Sequence, residues 1–494
     1  RPDHYMQIVS CPSCGAEVKF RSHASVMAVC EYCSTSVLKD ADAVKDLGKM
    51  SSVLEDYSPI QIGTAGVLGG RAFTAVGRIQ LRYDAGLWNE WYLLFDDGAT
   101  AWLGDSSGMY TVTTERQVEG ALPAFEQLAP GRNLPIGGEY YTAAEIRTAD
   151  CIGGQGELPF KVGQGWQAKV ADFRRGSAFL TLDYSDGPRP VVYTGLAVML
   201  ESLQCQLLRD DDQIQRSAGR YRGRLDALDC PSCGSPIKYL PGMTAHLVCP
   251  ACQAQVDAAS PKAQVLAAGE RVAAVATTLE LGAQAKLNNQ EYTAIGVMRR
   301  ADDENNQWTE YLLYAPRAGF SWLVETDEGW WRANVMPEWP QFGGPKGQDV
   351  IVDKSAFSKL YEYGARVTFA AGAFNWRVQV GDQCHVAEFA SDQVRLAVET
   401  TDAEMTWSRS SPVPVDQLKA WFGPQFHGRA PAAGAPFQHQ GYRSVARKFI
   451  MVMLAINAVP MLANFSRTWA LSALGALALY LPAVFLDSND DSKK

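Results

Sequence analysis

Cys11-Pro12-Ser13-Cys14-Gly15, close to the start of the chain, recurs as Cys230-Pro231-Ser232-Cys233-Gly234, 219 residues later. A second pair follows each after fifteen residues: Cys30 and Cys33 in the first copy, Cys249 and Cys252 in the second. The pattern C-x2-C-x15-C-x2-C is the spacing of a four-thiolate metal site. Two residues between cysteines let one tight turn aim both sulfurs at one ion. The fifteen-residue excursion is expected to form a hairpin that brings the second turn beside the first. Gly15 and Gly234 fall where such a turn needs positive φ. Four thiolates close the coordination shell, so the expectation is two structural ions, one per quartet, held by Cys11, Cys14, Cys30 and Cys33 and by Cys230, Cys233, Cys249 and Cys252. Zinc is favoured; iron in a rubredoxin-like site is the alternative that spacing leaves open.

The repeat extends well past the cysteines. Phe73-Thr74-Ala75-Val76-Gly77 matches Tyr292-Thr293-Ala294-Ile295-Gly296, again 219 residues on. Trp88-Asn89-Glu90-Trp91 matches Trp308-Thr309-Glu310-Tyr311, and Trp102-Leu103 matches Trp322-Leu323, both at 220. Val170-Ala171-Asp172-Phe173 matches Val386-Ala387-Glu388-Phe389 at 216. So constant an offset marks a duplicated unit of about 200 residues. Inside the first unit, Gly69-Gly70-Arg71-Ala72-Phe73-Thr74-Ala75 echoes Gly137-Gly138-Glu139-Tyr140-Tyr141-Thr142-Ala143, as if the domain were two similar halves. The second unit shows no clear echo.

Segments 66–83, 91–95, 100–103 and 109–114 are rich in β-branched and aromatic residues and punctuated by glycine. They read as short antiparallel strands of a small barrel or sandwich. Helical periodicity in the repeated units falls mainly near 197–208 and 415–422, closing each unit. The expected fold is therefore mainly β: a duplicated zinc ribbon plus small antiparallel β-barrel or sandwich domain, with a C-terminal α-helical transmembrane hairpin. The expected boundaries are a ribbon at 1–40, a β domain at 55–208, a linker at 209–228, a second ribbon at 229–258, a second β domain at 270–423, a linker at 424–447 and the hairpin at 448–487.

The hairpin rests on two apolar runs, 449–465 and 469–486, separated by Ser466, Arg467 and Thr468. Each would span about 26 Å as a helix, just short of a hydrocarbon core of about 30 Å. Arg443, Arg447 and Lys448 precede the first run and Lys493 and Lys494 follow the second. The positive-inside rule then places both ends, and the large domains, in the cytoplasm of a two-pass inner-membrane protein. Residues 428–440 have linker composition. No signal-peptide h-region precedes Cys11, and eight of the eleven cysteines fall in the quartets, which fits a reducing compartment with metal-bound thiolates.

The chain of 494 residues has a formal net charge of −9 and an isoelectric point near 5.3. Such a balance repels phosphate backbones. The charged residues of the ribbons are only Glu17, Lys19 and Arg21 in the first excursion and Lys238 in the second, so bracing a neighbouring domain is favoured over the alternative of nucleic-acid binding through the zinc ribbons. Arg216, Arg220, Arg222 and Arg224, after Asp210-Asp211-Asp212, read as solvated linker. No Walker loop, H-E-x-x-H or G-x-S-x-G is present, and Gly153-Gly154-Gln155-Gly156 reads as a turn. Cys384 and His385 would point to opposite faces of a strand, and Cys384, Cys151 and Cys205 read as small buried hydrophobes. No catalytic set emerges. The enzymatic alternative is a site between the β domains using Glu90 or Glu310, each two residues after a tryptophan.

The runs Leu281-Gly282, 287–296, 308–313, Ser321-Trp322-Leu323 and 372–382 resemble the bacterial family called domain of unknown function 4178. So do Ile62-Gly63, 68–77, 88–94, Ala101-Trp102-Leu103 and 156–165 in the first unit. The first unit departs at Leu158-Pro159-Phe160, where the second has Phe374-Asn375-Trp376. The resemblance implies β-rich modules often fused to zinc ribbons and membrane helices, with no established activity. It also suggests the company of membrane-stress and polyamine-synthesis systems. Closed metal sites, duplication and a membrane tether together point to a non-enzymatic scaffold that docks cytoplasmic or membrane protein partners at the inner membrane.

Overall fold

The computed structural model describes residues 7–39 except 23, 44–49, 58–210 except 84–85, 107 and 163–165, 226–239, 246–257, 264–267, 276–427 except 316–317 and 344–347, and 442–457, 469–470, 472–478 and 480–481. Two compact units result, Arg1–Arg429 and Ala430–Lys494. The arginine-rich stretch 216–224 and the linker-like stretch 428–440 lie outside the described residues.

Each β domain is a closed antiparallel barrel of eight strands. In the first, β1 (Arg71–Tyr83), β2 (Gly86–Phe95), β3 (Thr100–Ser106) and β4 (Met109–Arg116) form one meander. A second meander follows: β5 (Glu139–Leu158), β6 (Gln167–Arg175), β7 (Ala178–Asp183) and β8 (Val191–Val198). Strand β4 pairs with β8, and the C-terminal part of β5 pairs with β1, which closes the ring. The second barrel repeats this with β9 (Gln290–Asp302), β10 (Gln307–Ala315), β11 (Gly319–Thr326), β12 (Gly329–Val335), β13 (Ser355–Phe374), β14 (Gln383–Ser391), β15 (Val394–Thr400) and β16 (Met405–Val413).

The half-repeat is real and occurs in both barrels. Four hairpins begin the four meanders: Ala65–Leu68 with β1, Asn133–Ile136 with β5, Gln284–Leu287 with β9 and Asp349–Val352 with β13. Each is followed by a bulge at the same distance. The first unit turns on Gly69-Gly70 and Gly137-Gly138, whereas the second uses Asn288-Asn289 and Asp353-Lys354, all with positive φ. Different residues meet the same backbone requirement, which hid the echo from the sequence.

Three expectations are corrected. Residues 153–156 are not a turn but part of β5. Residues 197–208 hold only a short 3-10 turn, Leu200–Leu203, because 197 and 198 complete β8 through pairing with Tyr110 and Thr111. The excursion between cysteine pairs is not one hairpin. Each pair instead caps its own: Gln7–Ser10 with Glu17–Phe20, and Met27–Val29 with Thr35–Lys39. The helix α1 (Val415–Phe422) stands where periodicity placed it, burying Leu418 and Phe422.

The ribbons join the barrel walls. Met27–Val29 pairs with the end of β5, and His246–Val248 with the end of β13. Here backbones meet without room for side chains. A Cβ on Gly156, whose φ is +65°, would lie 2.2 Å from the Val76 carbonyl oxygen. The second barrel repeats this at Gly372, φ +92°, where a Cβ would sit 2.4 Å from Ile295 O.

In the C-terminal unit, α2 (Tyr442–Ile456) covers the beginning of the first apolar run. No helix among the described residues is long and apolar enough to cross a membrane; residues 458–468 and 482–494 lie outside them.

Gly156→Ala is expected to lower stability by about 3 kcal/mol through both strain and overlap. Gly69→Asn, at a φ of +56° with open space, should change it little. Urea denaturation of the two variants measures the difference.

Candidate metal centres and barrel interiors

The four sulfurs of each quartet lie within 4.8 Å of one another. Cys11 and Cys33 are 3.6 Å apart, Cys14 and Cys30 3.7 Å, Cys230 and Cys252 3.9 Å, and Cys233 and Cys249 3.7 Å. These separations are far beyond a disulfide bond of about 2.05 Å. They match the edge of a tetrahedron with metal–sulfur bonds of about 2.3 Å, roughly 3.8 Å. Both quartets can therefore hold a metal ion, and the thiolates would fill its shell.

The knuckles share one construction. The amide of the residue after the second cysteine, or of its counterpart, donates back to the first: Gly15 to Cys11, Ser34 to Cys30, Gly234 to Cys230, Gln253 to Cys249. All four residues have positive φ, so the glycine expectation holds, and Ser34 and Gln253 adopt the same turn without glycine.

Both ribbons brace their barrels, by different contacts. In the first, the buried carboxylate of Glu157 accepts from Arg21 N at 2.7 Å, Ser22 N at 3.1 Å and Ser25 Oγ at 2.9 Å. Arg21, one of the few basic ribbon residues, also places Nη1 3.3 Å from Glu157. In the second, Arg377 Nε donates to Gln255 Oε1 at 2.6 Å, and Leu247, Val248, Cys249 and Cys252 share a core with Ile295, Leu312 and Phe374. At the sequence departure, Phe160 packs on Trp102 and Trp376 packs on Trp322, so both copies keep an aromatic pair there.

Glu90 and Glu310 lie inside the barrels, on strand faces shared with Trp88 and Trp308. Each indole Nε1 donates to its glutamate, at 2.8 Å in the first barrel and 2.6 Å in the second. Their surroundings then diverge. In the second barrel Arg300 places Nη1 3.2 Å from Glu310 and 3.0 Å from Glu399 Oε1, with Nη2 3.0 Å from Glu399 Oε2. Its guanidinium also touches Cys384 Sγ, so that thiol belongs to a polar network rather than serving as a buried hydrophobe. His385 faces the other way, toward Glu362, as the strand alternation predicts. Cys151 and Cys205, half-buried, pack against apolar clusters of the first barrel.

In the first barrel Leu81 stands where Arg300 stands in the second: Leu81 pairs with Trp88 as Arg300 pairs with Trp308. Asp183 stands where Glu399 stands, opposite Val170 as Glu399 is opposite Val386. All eight strands line a cavity of about 210 Å³ here, and Val335, Met336, Trp339, Met405 and Thr406 of the second unit close one mouth. Its carboxylates are Glu90, Asp105, Glu145, Asp172 and Asp183, and its cations Arg147 and Arg174. Arg147 is engaged by Glu145 at 3.0 Å and Glu404 at 2.8 Å. Arg174 stacks over Phe179 and Trp339. Burial pushes the Glu90 carboxyl up to about 8, opposed by the Trp88 hydrogen bond and reinforced by Asp172, Asp183 and Asp105. Burial and Glu145 push Asp172 up to about 7, and burial raises Asp183. Glu90 contacts the cavity although protein surrounds it. Of the two glutamates, Glu90 lines this cavity, which residues of both β domains enclose, and Glu310 does not. Sequence reasoning singled out Glu90 and missed Asp183; the signal was the repeat offset of 216, which sets Asp183 against Glu399.

The chain belongs to the family described as domain of unknown function (DUF4178), which matches residues 61–199 and 280–415, together more than half its length. Neither a curated protein nor a solved structure matches it.

Metal analysis of the purified protein is expected to give two zinc ions per chain, and Cys14→Ser to lose one of them. The pH dependence has a definite sign. Glu90 and Asp172 hold protons in the folded state that the unfolded chain releases near its ordinary carboxyl values of about 4. Their contribution is complete below that range and falls as pH rises through 7 to 8. The melting temperature should drop from about pH 5 to about pH 9, and Glu90→Gln should flatten that slope.

Proposed function

We propose that the chain is a non-enzymatic scaffold whose tandem barrels, each stiffened by a structural zinc ion, dock protein partners at the cytoplasmic face of the inner membrane. The observation that carries the non-enzymatic reading is the fate of the repeated glutamate. In the second barrel Glu310 is tied to Arg300 and Trp308, so the two copies do not share a free acid or base at the repeated position. Closed four-thiolate shells add no open metal position. Two similar barrels in one chain favour multivalent attachment. Exposed Phe342 and Ile351, on a short hairpin outside the second barrel, supply apolar contact area.

The membrane tether is supported by the C-terminal unit. Phe449, Met451, Val452 and Ile456 of α2 are all exposed, as are Trp469, Leu474 and Leu477 of the second run. Such surface is costly in water and favourable in lipid. Met453 Sδ lies beside Gly475, so the two runs meet as a helical hairpin would require.

Deleting 449–486 should move the protein from the membrane to the soluble fraction, with both barrels folded. Pull-down of the intact chain from solubilised membranes should enrich a defined protein partner, and Cys→Ser ribbon variants should weaken that capture. Retention in the membrane after deletion contradicts the tether. Failure of the intact chain to enrich any partner contradicts the scaffold.

A further inference from the structure

The two barrels pose the same electrostatic problem and solve it differently. In the second, Glu310 and Glu399 face each other across the interior and one guanidinium, supplied by Arg300, lies between them. In the first, Glu90 and Asp183 occupy the equivalent positions, the arginine is Leu81, and a cavity lies where the guanidinium would reach. We propose that the first barrel binds a small organic cation, an alkylguanidinium or alkylammonium, whose head group sits between Glu90 and Asp183 in the place taken by the Arg300 side chain in the second barrel.

Three features of the cavity fit that ligand. Its remaining walls include Trp88, Trp102, Trp166 and Phe160, which offer π faces to a cation and apolar contact to an alkyl body. Neither cavity-lining arginine is paired with Glu90 or Asp183: Arg147 is held by Glu145 and Glu404, and Arg174 lies over the rings of Phe179 and Trp339, where its charge acts on Glu145 and Asp172. The hydrogen bonds to the two carboxylates, from Trp88 Nε1 to Glu90 Oε1 and from Ser185 to Asp183 Oδ1, come to one oxygen of each. A guanidinium or ammonium donor would satisfy the others, as Arg300 does with both oxygens of Glu399. The raised proton affinity of Glu90 agrees with a carboxylate that lacks its counter-ion. Cation binding should therefore expel a proton.

The test is calorimetric titration of the full-length, metal-loaded protein with n-butylguanidinium and n-butylammonium, with 1-pentanol as the neutral control of similar shape. Saturable binding of at least one cation is expected, with roughly one proton released per cation near neutral pH. Glu90→Gln and Asp183→Asn should each weaken it by about tenfold or more. Leu81→Arg should abolish binding and raise the melting temperature, because the side chain supplies the cation internally. Should Leu81→Arg not fold, the Glu90→Gln and Asp183→Asn titrations decide alone. The proposal is overturned if neither cation binds, if pentanol binds as tightly, if potassium chloride alone gives the same heat, or if Glu90→Gln leaves affinity unchanged.

Discussion

The backbone crossing at Gly77 and Gly156 is the constraint on which the rest of the first unit depends. A Cβ on Gly77 would meet the Glu157 carbonyl oxygen at 1.7 Å, so β1 and β5 approach as only glycine allows. That approach closes the barrel. It also frees the last residues of β5 to pair with Met27–Val29, so the ribbon continues the barrel wall. Gly296 and Gly372 repeat the device in the second unit. The cysteine ribbon is then not a separate appendage. Its tetrad joins two hairpins, one of which supplies a strand to the barrel sheet, so an ion held there would brace the barrel wall.

Closing eight strands creates an interior, and the alternation of side chains forces every second residue into it. The faces outside are apolar and covered: Trp91, Leu93 and Leu103 pack beneath Leu200 and Leu203, and Phe173, Leu180 and Leu182 lie near Phe125 and Leu128. The faces inside carry carboxylates. A buried carboxylate is stable only when paired or protonated. The second barrel pairs its own, with Arg300. The first pairs Glu145 with Arg147 and leaves Glu90 and Asp183 to protonation, or to a cation from outside. Duplication thus produced one barrel that carries its own interior cation and one whose equivalent position is open to a ligand. Such divergence lets the second copy serve as structure while the first acquires a use.

Much of this was legible in the sequence, for identifiable reasons. Cysteine spacing is dictated by the ion, so the tetrads could be read directly. The repeat offsets carried the strands from one unit to the other. The half-repeat of the second unit was not legible, because Asn288-Asn289 and Asp353-Lys354 turn the chain as Gly-Gly does without looking like it. The 153–156 stretch misled for the opposite reason: its glycines serve a strand under close approach rather than a turn. Cys384 read as a hydrophobe because its partners, Arg300 and Glu399, are 84 and 15 residues away. The contrast between Leu81 and Arg300 lay in the repeat from the start. It acquires meaning only when both strands are known to face one closed interior.

The central claim is that Glu90 and Asp183 of the first barrel have no internal counter-ion. The most direct measurement is the infrared band of protonated carboxyl groups, followed across a pH titration as the difference between the wild-type protein and Glu90→Gln in the absence of added amines. The account predicts a protonated carboxyl at Glu90 that ionises near 8. A Glu90 that is already ionised at pH values near 5 would contradict it.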